Sequence, residues 1–145
     1  IQCGRKVDSL KVWLTLVSKG EKKMEQLVDN IIEMNHYITE KLKQTPGFKL
    51  VLPQFEGSTI SFWYMKKSLS DSVKRYTPSQ VHEICPNIKE KMIKVGTMMI
   101  NYQPLTCKGL PNFFRLSLTC IPAPSKDDMD FVIHEIVSLA ESNSL

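Results

Sequence analysis

An antiparallel sheet of three or four strands, with helices on one face and the other face left open, is the architecture that these 145 residues predict, which makes the chain an α+β domain. The observations behind it are a run of elements in the order α-α-β-β-α-β-β-α, strands that come in neighbouring pairs joined by short turns, and helices whose apolar stripes lie on one side.

Val7, Leu10, Leu14 and Val17 recur at helical spacing, Trp13 and Leu16 widen the stripe, and Gly20 is placed to stop a first helix. A second helix opens near Glu21 and carries Met24, Leu27, Val28, Ile31, Ile38 and Leu42 along one side until Pro46-Gly47 ends it. Phe48 to Leu52 reads as a strand closed by Pro53. Thr59 to Met65 reads as its antiparallel partner, with Ile60, Phe62 and Tyr64 alternating against Trp63 and Met65. Lys66 to Tyr76 is charged and serine-rich without periodicity, the pattern of a surface loop.

Thr77-Pro78-Ser79-Gln80 has the form of a capping box with proline at the first helical position, so a third helix starts there, bends at Pro86 and ends at Gly96. Thr97 to Gln103 is read as a third strand, and the stretch through Pro104, Gly109 and Pro111 as a loop. The fourth strand, from Asn112, puts Phe114, Leu116, Leu118 and Cys120 on one face and Phe113, Arg115, Ser117 and Thr119 on the other. Ser125 caps a last helix with apolar positions at Met129, Val132, Ile133, Ile136, Val137 and Ala140.

Composition narrows the function classes. With 42% apolar residues the chain can close a core without metal or disulfide staples, and the formal charge of +4 comes from lysines dispersed among glutamates, which argues against nucleic acid as a partner. The four cysteines, Cys3, Cys85, Cys107 and Cys120, have neither zinc-site spacing nor the density of a secreted scaffold, so a reduced, cytoplasmic setting is expected. No apolar run has the length of a membrane span. The start at Ile1 without methionine reads as a segment cut from a longer protein.

His36, His82 and His134 lack partners at metal-ligand spacing, so no metal site is expected, and solvated or capping roles are assigned to them. The seven methionines read as core filler. Neither a nucleophile elbow nor a phosphate-binding glycine loop occurs, so no autonomous active site is expected. Phe62, Trp63 and Tyr64 lack the glycine-framed motif that an RNA-stacking sheet would need. The remaining feature is Arg115, a planar and permanently charged fork near the start of a strand. Taken by itself it is either a structural ion pair or a receptor for a carboxylate or phosphate.

Several stretches, taken in order, resemble the C-terminal region of the group II pyridoxal-phosphate-dependent decarboxylases, in the branch acting on glutamate, cysteine sulfinate and aspartate. They are Gln2 to Asp8 with Leu10-Lys11-Val12-Trp13-Leu14, Gly47-Phe48, Ser61-Phe62-Trp63-Tyr64, Tyr102-Gln103-Pro104, Asn112-Phe113-Phe114-Arg115 and Asp128-Met129-Asp130-Phe131. The resemblance implies the small C-terminal domain of a fold-type I enzyme, with residues 1–20 closing the large cofactor domain and 21–145 forming the small one. It implies pyridoxal 5'-phosphate as cofactor, bound by sequence upstream of Gln2 together with the lysine that anchors it. No catalytic or cofactor-binding residue is then expected in this chain.

It also implies a small acidic amino acid as substrate and a homodimer. Arg115 matches the family's carboxylate-binding arginine. Strong pairing with the α-carboxylate would stabilise the charge that must leave as carbon dioxide, so Arg115 is assigned to the distal acid. Where members of the branch often have glycine before Tyr-Gln-Pro, this chain has Asn101, and Lys66-Lys67-Ser68 replaces a proline-rich turn; Asn101 bears on the choice of acid. A non-catalytic homologue and an independent binding module using the open sheet face are the alternatives. The wide apolar stripe of the first helix is expected to need a covering surface outside the small domain.

Overall fold

The structure, a computed structural model, describes residues 7–55, 57–65 and 77–142. The stretch from Gln2 to Lys6 and the loop at 66–76 lie outside the described residues. The order of elements is α1 (Asp8–Gln44), β1 (Phe48–Leu50), β2 (Thr59–Tyr64), α2 (Pro78–Val95), β3 (Asn101–Leu105), β4 (Leu110–Ser117) and α3 (Lys126–Glu141), with a single 3-10 turn at Thr106–Lys108. The strands form one antiparallel sheet in the order β1-β2-β4-β3.

Gly20 breaks α1 as its position in the sequence predicts. Its φ of 74° and ψ of 166° are non-helical, so two helices meet there end to end. The apolar stripe of the half before it is uncovered by the described residues: Leu10, Trp13, Leu14, Leu16 and Val17 are all exposed, Trp13 by 58%. The half after it buries Met34, Ile38 and Leu42 in the core, with Ile31 and Tyr37 partly buried against it, while Val28, read as part of its stripe, is exposed. Asn35 and Thr39, one turn apart, are also buried; the Asn35 amide nitrogen donates back to the Ile31 carbonyl at 2.8 Å, while its oxygen and the Thr39 hydroxyl have no partner among the described residues.

Gly47 then turns the chain into the sheet. A Cβ there would stand 2.7 Å from the Met65 carbonyl oxygen, so the close β1–β2 approach requires glycine. Alternation along β2 is as expected, with Ile60, Phe62 and Tyr64 buried and Ser61 and Trp63 turned to the other side. Phe62 and Tyr64 belong to the core and offer no stacking platform. They pack with Phe114, with Ile38 and Leu42 of α1, with Cys85 and Met92 of α2, and with Ile133 and Ile136 of α3. Each such fully buried large side chain contributes roughly 1.5–3 kcal/mol. The three described helices thus all pack on this cluster.

Two strands differ from expectation. β3 begins at Asn101, four residues later than read, and runs through Pro104. A proline fits because β3 is an edge strand and its pairing with β4 shifts between Gln103 and Leu105, a bulge that needs no donor there. β4 begins at Leu110 and includes Pro111. Its alternation fails at both ends: Asn112, Phe113 and Phe114 are all buried, and Cys120 is exposed. Phe113 loses its solvent because the Trp63 ring stands edge-on to it at 6.2 Å.

Thr77 forms the expected capping box with Gln80, and Ser125, expected as a cap, completes a capping box with Asp128. Hydrogen bonds from the Ser125 backbone and hydroxyl hold the Asp128 carboxyl below the usual carboxylate range, so this contribution is present at neutral pH and is lost as pH falls through that lowered value. α3 has no basic residue in its last turn, and Lys91 of α2 supplies one from outside: its ammonium donates to the carbonyls of Leu139 at 2.9 Å and Ser142 at 2.6 Å. Lys91→Met should therefore loosen the end of α3 by about 1 kcal/mol. Hydrogen exchange of its last-turn amides in the whole protein checks this, and unchanged protection would show that the contact contributes nothing.

Candidate functional site

The uncovered face of the sheet carries Arg115. Register aligns Ser61 on β2, Arg115 on β4 and Asn101 on β3 in one row across the strands. Arg115 is exposed, and its Nη1 donates to Gln103 Oε1 at 2.9 Å. Among the described residues no carboxylate pairs with it. Beside it opens a concavity of about 460 Å³ lined by Met99, Ile100, Asn101, Tyr102, Gln103, Arg115, Leu116 and Ser117, which contains no acidic side chain. A guanidinium with five donors, one of them engaged by a neutral amide, can accept a carboxylate or sulfinate in a two-pronged contact.

Its neighbours are polar and ordered. Lys89, reaching from α2, donates to Asn101 Oδ1 at 2.8 Å and sits 5.5 Å from the centre of the Tyr102 ring. Asn101, the residue that departs from the family's glycine, therefore lies beside Arg115 and brings a second cation to that edge. Met99, read as core filler, is 67% exposed and lies on the rim of the concavity instead.

Two residues of this site carry roles that the sequence did not announce. Gln103 is one. Asn112 is the other, and its signal was present in the helix: Pro86 has no N–H, so in α2 the carbonyl of His82, four residues earlier, loses its helical donor. The Asn112 side chain donates to that carbonyl at 2.8 Å. Its own carbonyl receives the Trp63 indole N–H at 2.9 Å and the Cys85 thiol at 3.4 Å. Burial pushes the Cys85 thiol up to about 12, so it stays a neutral donor at ordinary pH. Asn112 thus locks the start of β4 to α2 and β2, three residues before Arg115.

The histidines lie elsewhere. All are exposed, His36 resting against Phe55, and among the described residues no group of three metal-ligating side chains occurs. No helix among the described residues is long and apolar enough to cross a membrane.

Comparison with known proteins places this geometry. Residues 1–65 match the Pyridoxal-dependent decarboxylase conserved domain. Cysteine sulfinic acid decarboxylase of Homo sapiens is 36% identical over 150 residues, covering 97% of this chain and 28% of that protein. Acidic amino acid decarboxylase GADL1 of Bos taurus is 36% identical over 137 residues, covering 94% and 26%. The crystal structure of mouse CSAD in apo form superposes with a TM-score of 0.84 at 34% identity, over 96% of this chain and 29% of that one. The chain thus spans little more than a quarter of the curated relatives it matches. Oryza sativa TDC with PLP and tryptamine shares the fold alone, with a TM-score of 0.70 at 13% identity.

Among the described residues no lysine is placed to anchor a pyridoxal cofactor. Anchoring it takes an amine kept neutral in a dry pocket. None of the lysines described is buried, and the three least exposed are already engaged: Lys41 with Asp130, Lys89 with Asn101 and Lys91 with the end of α3. What the described residues offer is an exposed guanidinium, held by Gln103, beside a concavity without acidic side chains. In sequence, in sheet order and in the arrangement of its helices, the chain belongs to the pyridoxal-dependent decarboxylase family and corresponds to the C-terminal region of its fold-type I enzymes.

Proposed function

We propose that the whole protein is a pyridoxal-phosphate-dependent carboxy-lyase that converts a small acidic amino acid (cysteine sulfinate, aspartate or glutamate) to the corresponding amine, and that Arg115 holds the distal acid of the substrate. The observation that carries this reading is a guanidinium on an open sheet face, ordered by a neutral partner and, among the described residues, without a carboxylate of its own. The similarity to cysteine sulfinic acid decarboxylase and acidic amino acid decarboxylase GADL1 supports an acidic substrate; among the three acids we place cysteine sulfinate and aspartate slightly ahead of glutamate.

Arg115 binds and orients. Fixing the distal acid, it does not itself pair with the α-carboxylate, so it does not hold back the group that departs. The cofactor supplies the electron-sink chemistry, and we assign its binding, with the anchoring lysine, to residues outside these 145. We divide the chain at Gly20, giving 1–20 to the large domain and 21–145 to the small one. The exposed stripe of Leu10, Trp13, Leu14 and Val17 then packs on that large domain within a homodimer, because a patch of this kind on a free surface is a liability. Cys85, Cys107 and Cys120 are free, which supports a cytoplasmic setting.

The test is turnover. The whole protein with pyridoxal phosphate should release carbon dioxide from at least one of the three acidic amino acids, and none from a neutral amino acid of equal length. Absence of product from all three overturns the proposal.

A further inference from the structure

We propose that Gln103 is a positioning residue of the acid-binding site: it fixes the direction of the Arg115 fork through a neutral acceptor, so that the full positive charge stays available to the substrate. The proposal rests on the reading of Arg115 given above and adds to it the device that makes the arginine selective.

The geometry comes from the sheet. Gln103 pairs with Phe113, two residues before Arg115, so the Gln103 and Arg115 side chains are diagonal neighbours on adjacent strands, a spacing that long side chains span. The shift of register between Gln103 and Leu105, at Pro104, is a bulge of the kind that redirects a side chain. The result is the 2.9 Å bond from Nη1 to Oε1. Gln103 is half-buried while Arg115 is exposed, so the amide is the better-anchored member of the pair.

The choice of acceptor matters chemically. A glutamate of the same length would orient the guanidinium equally well, but its charge would compete with the substrate's acid for the same donors. An apolar residue of similar size would leave a flexible arm whose rotamers must be frozen at each binding event. Glutamine avoids both, and the surrounding concavity, free of acidic residues, is consistent with a site that keeps Arg115 unneutralised.

Steady-state kinetics on the whole protein, loaded with cofactor, separate these roles. Gln103→Met should raise KM for the acidic amino acid about tenfold, the equivalent of one lost hydrogen bond, with kcat within about twofold. Gln103→Glu should raise KM further than Gln103→Met, by about another tenfold, because it adds a competing charge. In an Arg115→Ala background Gln103→Met should have no additional effect. If Gln103→Glu binds substrate as well as glutamine does, or if either variant lowers kcat and leaves KM alone, the proposal is overturned. Arg115→Ala with a large KM and Gln103→Met without one would overturn this inference alone; an Arg115→Ala enzyme with unchanged KM would take the acid-binding reading down as well.

Discussion

Arg115→Ala in the whole protein should lower kcat/KM for the acidic amino acid by about 10²- to 10³-fold, and nearly all of the loss should appear in KM. The direction follows from which acid the arginine holds. A contact to the distal group is made equally in the bound substrate and in the transition state, so its removal takes away uniform binding and leaves the chemical step unchanged. A contact to the α-carboxylate would instead weaken as carbon dioxide forms, and its loss would raise kcat. The size follows from a charge-assisted two-pronged contact, and Arg115→Lys should recover only part of it, because an ammonium cannot reproduce the planar fork. Cysteine sulfinate, aspartate and glutamate should be affected in parallel, while binding of a neutral amino acid of similar length should be little altered. Unchanged kcat/KM for all the acids would remove Arg115 from the site, and a raised kcat would move it from the distal acid to the reacting end.

Much of this was legible in the residues. Helix limits marked by local chemistry, the Thr77 and Ser125 caps, the Gly20 break and the Gly96 stop, all stand where the sequence puts them, because a cap is a contact between residues a few positions apart. Strand limits were less legible, since they depend on partners far along the chain. Nothing in Tyr102-Gln103-Pro104 alone says that this segment lies at the edge of the sheet, and only there can Pro104 sit in a strand. The faces of β4 show the same limit. Period-2 alternation put Phe113 on the open face with Arg115, but Trp63 from the neighbouring strand covers it, and Cys120 lies past the end of β4. Arg115 was identified from its residue type and motif, whereas Gln103 needed the register, because the two are twelve residues apart and meet only through the β3–β4 pairing.

The largest expected effect on stability is that of Asn112→Ala. It removes a buried amide, leaves the His82 carbonyl without a donor and opens a small void where β4 meets α2, together a loss of about 2–4 kcal/mol. The cause can be separated from simple loss of packing through Pro86. Pro86→Ala restores the helical N–H that would bond the same carbonyl, so in that background the side chain of Asn112 serves a group that is already satisfied. The penalty of Asn112→Ala should then shrink by about 1 kcal/mol or more, a coupling that a double-mutant cycle measures. Native-state hydrogen exchange of the α2 and β4 amides in the whole protein gives the local opening free energies needed for the four variants. Strictly additive penalties would mean that Asn112 acts by packing alone. A positive coupling would mean that the proline in α2 and the asparagine of Asn-Phe-Phe-Arg act as one unit, one creating the unpaired carbonyl and the other filling it. Because that unit holds the start of β4, Asn112→Ala should also raise KM for the acidic amino acid without any contact to it, and Pro86→Ala should reverse part of that rise along with the stability.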